Sequence, residues 1–176
     1  PITTQEYFSY YHLDSARQKG YTGKGVTIAL IDGPVDTSTP ELAGATIIDK
    51  SRCTIEASPQ GARHGTDMAT ILVSPLHSYQ LSNYESISAG TCEVNGKKLD
   101  DFDTLINQAV DDGAQIISIS QGTGRLGDDV KWAIANAIAR GVIIVASAGN
   151  TADNANNAHL GSWSGVVGVS AINTDG

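Results

Sequence analysis

The clearest signal along the chain is a run of apolar and β-branched residues, Val26 to Ile31, that stops on Asp32 and is broken at once by Gly33-Pro34. A run without polar alternation predicts a strand covered on both faces, as in the interior of a parallel sheet. Gln115 to Ser120, Val142 to Ser147 and Val166 to Ile172 repeat the pattern and predict further strands. Between them, Asp101 to Asp112 and Asp128 to Arg140 carry apolar residues at helical spacing, each closed by a glycine, Gly113 and Gly141. Strands alternating with helices of this length predict an α/β fold with a mainly parallel sheet and helices on both faces.

The remaining segments are less sharply patterned. Thr3 to Lys19 predicts a helix with a threonine cap and Gly20 as its stop. Gly20 to Gly25 reads as a turn; a phosphate-cradling glycine loop follows a strand, whereas this one precedes it. Thr37 to Leu42, with Pro40, reads as a loop, and Thr46 to Ile48 as a short strand. Asp67 to Leu72 predicts a helix that starts near His64. Tyr79 to Leu81 is a poorly marked strand, and Ser82 to Lys98 a loop or a hairpin around Asn95-Gly96. Thr151 to Ser164 is polar and irregular.

Composition narrows the function classes. A length of 176 residues suits one domain with a substantial core. A formal net charge of −8 argues against nucleic acid or an anionic membrane face as the partner. No apolar run reaches membrane-spanning length and no basic-then-apolar leader is present; a start at Pro1 predicts that something upstream was removed. Cys53 and Cys92 are too few for a zinc site or a disulfide framework, and a single disulfide between them stays open. No cofactor and no metal site is expected.

Candidate chemistry lies at the ends of the predicted elements. Asp32 falls just past the carboxyl end of a strand, where open α/β sheets keep their working residues; alone it also reads as an acidic turn residue. His64 falls in or just before the first turn of its helix, where the dipole suits a proton acceptor. Asn150 follows the strand Val142 to Ser147 through Ala148-Gly149. His12, His77 and His159 have no comparable context and read as surface or packing residues.

Taken in order, these residues resemble the subtilisin-like serine proteases, the subtilases, from about Tyr21 to Ala171. Asp32, followed by Pro40-Glu41-Leu42, is similar to the family's strand-aspartate motif. His64-Gly65-Thr66 matches its His-Gly-Thr. Ser118-Ile119-Ser120 with Gly122 resembles the strand that holds the substrate backbone, and Ser147-Ala148-Gly149-Asn150 the segment carrying the oxyanion-hole asparagine. The resemblance implies a three-layer subtilase-type fold and peptide-bond hydrolysis by acyl transfer. His64 is then the base that takes a serine proton and returns it to the leaving amine, with Asp32 orienting it. Asn150 donates to the developing oxyanion, and an extended peptide pairs with Ser118 to Gly122, with Ser147 and Gly149 as further substrate-binding residues. Asn150 also reads as a turn residue, His64 as a helix cap in an inactive enzyme, and Ser120 and Gly122 as a strand terminus.

The pattern departs from the family in several places. No Gly-Thr-Ser, the sequence that carries the family's nucleophile, occurs in the chain. Gly90-Thr91-Cys92 is the nearest imitation, but it precedes the Asn150 strand and lies outside a clear helix start, which disfavours Cys92 as a nucleophile. The expectation is therefore the N-terminal part of a catalytic domain, completed by a segment or second chain that brings the serine and covers an otherwise exposed side of the sheet. A truncated chain and a serine-less, peptide-binding relative are the alternatives. Asp32-Gly33-Pro34-Val35-Asp36 resembles the cyanobactin-type subtilases, which cut precursor peptides of ribosomal natural products. The family's calcium loop would need more residues than Val73 to His77, so Glu41 is expected to form a hydrogen bond or ion pair. The family favours secretion, precursor processing a cytoplasmic site, and the compartment stays open.

Overall fold

The computed structural model describes residues 8–52, 59–74, 79–86, 93–99, 101–122, 126–150 and 159–171. Expectations for Cys53, Cys92, His77 and most of Thr151 to Ser164 fall outside them. The central element is the predicted one: β1, Thr27–Asp32, whose last four residues are fully buried. It lies between β3 (Gln80–Glu85) and β6 (Ile116–Ile119) in a six-stranded sheet that continues through β2 (Thr46–Asp49) on one side. On the other side come β7 (Ile143–Ser147) and β8 (Val167–Val169), giving the order β2-β3-β1-β6-β7-β8 with every pairing parallel. A separate two-stranded antiparallel hairpin, β4 (Glu93–Val94) and β5 (Lys97–Lys98), turns through Asn95 and Gly96, both at positive φ, the geometry of a type I′ turn.

Alternate residues of each strand face opposite layers. Ala29, Ile31, Ile117, Ile119, Ile144 and Ala146 pack on Leu105, Ile106, Ala109 and Val110 of α3 (Phe102–Asp111) and Ala133, Ile134 and Ala137 of α4 (Asp128–Ala139). On the opposite face Leu30 and Leu81 pack on Ala69 and Val73 of α2 (Pro59–Val73) and on Leu42. Helices α3 and α4 end as predicted: Gly113 and Gly141 have φ of 86° and 80°. There the following residue bonds back to Ala109 and Ala137 respectively, which satisfies carbonyls left over at a helix end.

The second face is covered only in part. Register places Ser118 beside Leu30 and Val145, and Val145 beside Val167. In this β6–β7–β8 half, Ile143, Val167 and Val169 are exposed at 53%, 51% and 51%, and no helix among the described residues lies over them.

Three sequence readings need correction. Strand β3 does not stop at Leu81 but runs to Glu85: Ser82 and Asn83 are polar yet 1% and 2% exposed, because β3 is paired along both edges, with β1 and β2. Helix α2 starts at Pro59, with His64 in its second turn rather than its first, so the dipole argument, which fades within one turn, loses most of its weight. The predicted N-terminal helix is broken at Tyr11-His12, where His12 is left-handed with φ 55°, before α1 (Leu13–Gln18). No residue of α1 is buried, so packing supplies nothing to hold a longer continuous helix together.

Candidate active site

Asp32 is the last residue of β1 and wholly buried. Its Oδ1 accepts hydrogen bonds from the Gly33 backbone N–H and from His64 Nδ1, each at 2.7 Å. An ionised carboxylate can only accept, so this contact fixes the proton on Nδ1 and leaves Nε2 with a lone pair. The His64 side chain is 42% exposed, while its carboxylate partner is wholly buried. A partly exposed imidazole whose orienting carboxylate is buried is equipped to take a proton from a hydroxyl and hold it.

Backbone contacts set this geometry. A Cβ added to Gly33 would run into the Gly61 carbonyl oxygen and sit 3.1 Å from its carbon. One added to Gly65 would run into the Gly33 carbonyl and sit 2.6 Å from the Pro34 oxygen. The Asp36 N–H donates to Thr66 Oγ1 at 3.0 Å, tying the loop after β1 to the same helical turn. Ser86, 2% exposed, donates its backbone N–H to the Asp32 carbonyl at 2.9 Å, and its hydroxyl bonds Gln121 Oε1. Ser86 was missed from sequence because Ser82 to Lys98 offers no periodicity, and Gln121 because nothing in sequence pairs it with that segment.

The other candidates share the carboxyl-terminal edge of the sheet without touching the pair. Ser118 is paired in register with both Leu30 and Val145, so its backbone belongs to the sheet. The β6 ladder ends at Ile119, and Ser120 to Gly122 lie beyond it. Ser147 closes β7, Gly149 takes φ 86°, and Asn150 is exposed two strands from β1. The His159 ring packs on Gly149, 3.0 Å from where a Cβ would stand, which makes this histidine a wall of that segment.

Glu41 does not make the expected hydrogen bond or ion pair among the described residues. It lines an open cavity of about 540 Å³ with Asp36, Thr39, Arg63, Thr66, Asp67 and Thr70. Among the described residues no group of three His, Cys, Asp or Glu side chains is placed to hold a metal ion; residues 75–77 of the calcium-loop segment lie outside them.

Residues 23–176 match the model of the Subtilase family, Peptidase_S8. The chain is 26% identical over 178 residues to subtilisin amylosacchariticus of Bacillus subtilis subsp. amylosacchariticus, an alignment spanning 89% of this chain and 43% of that relative. Among solved structures it resembles the prenylagaramide maturation protease PagA with a TM-score of 0.73 at 22% identity, over 93% of this chain and 60% of that one. It resembles the S218A mutant of the PatA protease domain with a TM-score of 0.70 at 25% identity, over 89% and 62% of the two chains. Against the curated relative, this chain therefore spans less than half the length.

Proposed function

The chain belongs to the subtilase family, and on that premise we propose that it forms the aspartate–histidine–asparagine part of a serine endopeptidase. The observation that carries the proposal is the 2.7 Å contact between His64 Nδ1 and the buried Asp32 carboxylate at the working edge of the sheet. In the proposed reaction a serine hydroxyl from a segment outside this sequence attacks the scissile carbonyl. His64 Nε2 takes its proton as the C–O bond forms, then delivers that proton to the leaving amine; water repeats the sequence to release the acid. Asp32 holds the imidazole in the required tautomer and stabilises the imidazolium. The Asn150 carboxamide donates to the oxyanion of each tetrahedral intermediate.

The substrate is an extended peptide. Because Ser118 is paired on both sides, its backbone is not available to a peptide, and the docking edge we propose is Ser120 to Gly122, with Ser147 and Gly149 at the end of the neighbouring strand β7. Within that class, the Asp32 to Asp36 run favours a precursor peptide. The half-bare face over β6, β7 and β8 supports completion of the domain by the segment that brings the serine, since exposed Ile143, Val167 and Val169 gain by being covered. The isolated chain is then inactive.

A peptide-binding protein without catalysis is the second reading, in which Ser120 to Gly122 dock a peptide and no acyl-enzyme forms. A serine-directed phosphonate applied to the purified protein and whatever copurifies separates the two. Labelling of one polypeptide together with peptide hydrolysis supports the protease. Peptide binding with neither labelling nor hydrolysis supports the binder.

A further inference from the structure

Subtilase membership explains an aspartate and a histidine in one cleft, but not what brings them to 2.7 Å in this chain. The residue after Asp32 is glycine. Gly33 is not at positive φ, unlike Gly20, Gly23 or Gly149, so an alanine there meets no torsional barrier. Space is the constraint. The position of a Cβ on Gly33 is taken by the Gly61 carbonyl, and Gly65 in turn faces the Gly33 and Pro34 carbonyls. Helix α2 therefore lies on the backbone of the loop after β1 with no side chain between them at these positions, and the Asp36 N–H to Thr66 Oγ1 bond fastens the same turn. His64 sits within that turn, next to Gly65.

We propose that Gly33 is a positioning residue, a gap in the side-chain layer that lets α2 settle close enough for His64 to reach Asp32. It touches neither substrate nor the reacting atoms; its N–H holds the Asp32 carboxylate, a bond an alanine would keep, and its missing side chain acts through the placement of His64. A side chain at 33 lifts the Gly61–Gly65 turn, and the Asp32–His64 bond is the first thing lost. The inference rests on the catalytic reading for its kinetic consequence but not for its structural one.

The test is Gly33→Ala in the intact protein, with Gly127→Ala as control, because a Cβ at Gly127 meets nothing within 4 Å. The primary readout is the far-downfield proton of a histidine Nδ1–H bonded to a carboxylate, assigned to His64 by selective nitrogen-15 labelling. Wild type and Gly127→Ala should show it, and Gly33→Ala should not. Where the assembled protease hydrolyses peptide, kcat should fall about 100-fold, the loss expected for misplacement of a catalytic group by roughly 1 Å, with KM little changed. Should Gly33→Ala fail to fold, Thr66→Val removes the second fastening without adding bulk and should weaken the same resonance. A folded Gly33→Ala or Thr66→Val that keeps the resonance at wild-type strength overturns the proposal. A wild-type resonance without phosphonate labelling would instead remove the protease reading and leave the positioning role standing.

Discussion

Replacing Asp32 by asparagine isolates one charge in a site otherwise unchanged in shape. The carboxylate is wholly buried, and one oxygen receives both the Gly33 N–H and His64 Nδ1 at 2.7 Å. In the proposed reaction His64, on taking the serine proton, becomes a cation beside this anion. With charge centres about 4 Å apart and an effective dielectric of about 20, their attraction is about 4 kcal/mol. At about 1.4 kcal/mol per decade, that is a factor of about 10³ in rate. Asparagine also loses the strict requirement that the proton sit on Nδ1, because its amide nitrogen can donate where the carboxylate could only accept. The total loss should approach the factor of about 10⁴ typical of triads that lose their carboxylate. The assay is kcat and KM for peptide hydrolysis by the assembled protease, with urea denaturation of the same variant alongside. The fall should be in kcat, and stability should drop by no more than about 1 kcal/mol, because the variant removes a buried charge whose Oδ2 has no hydrogen bond among the described residues. A loss below tenfold in a folded variant would refute the role assigned to Asp32.

Three further outcomes follow from the same geometry. Asn150→Ala should lower kcat by about 10² to 10³, a range taken from a subtilisin, with little change in KM; an unchanged kcat in steady-state assays would make Asn150 a turn residue only. Burial raises the phenols of Tyr79 and Tyr84 well above the ordinary value, and for Tyr84 the hydrogen bond to Asp112 at 3.0 Å and that carboxylate's charge add to it. The unfolded chain then releases these protons from about pH 10 while the folded one keeps them, so stability should fall by about 1.4 kcal/mol per pH unit for each tyrosine as pH rises further. Phenolate absorbance in which all six tyrosines ionise together would contradict this. Val167→Asp should cost the chain itself about 1 kcal/mol or less by chemical denaturation, since the residue is half-exposed, yet should abolish association with the serine-bearing segment in a pull-down. Normal association would mean that β8 is not covered by it.

Sequence made the sheet legible where strands are apolar throughout and opaque where they are not. Strands β1, β6 and β7 announce themselves because a central parallel strand must be apolar on both faces. Strand β3 is also paired on both sides, but Ser82 and Asn83 occupy its interior, and hydropathy then reads a loop. The end of α3 was visible because Gly113 has a torsional duty that shows in the residue type, whereas the start of α2 was hidden: Gln60 and Gly61 have no helical pattern of their own. Asp32 and His64 were paired in advance through the order of the family's motifs, which says which groups belong together but not what separates them. The Gly33, Gly61 and Gly65 contact that sets their spacing is a matter of backbones crossing in space, and no periodicity encodes it. For Ser118 the motif was plain in the sequence, but its pairing with Leu30 and Val145 could be known only from register.

Strand β8 stands at the margin of the six-stranded sheet among the described residues, with Val167 and Val169 uncovered on one side. A short valine-rich margin that pairs with no further strand among the described residues is a template on which a neighbouring molecule can add a strand. Handled at high concentration, this polypeptide should therefore associate edge to edge, and whatever normally shields that margin serves solubility as much as chemistry.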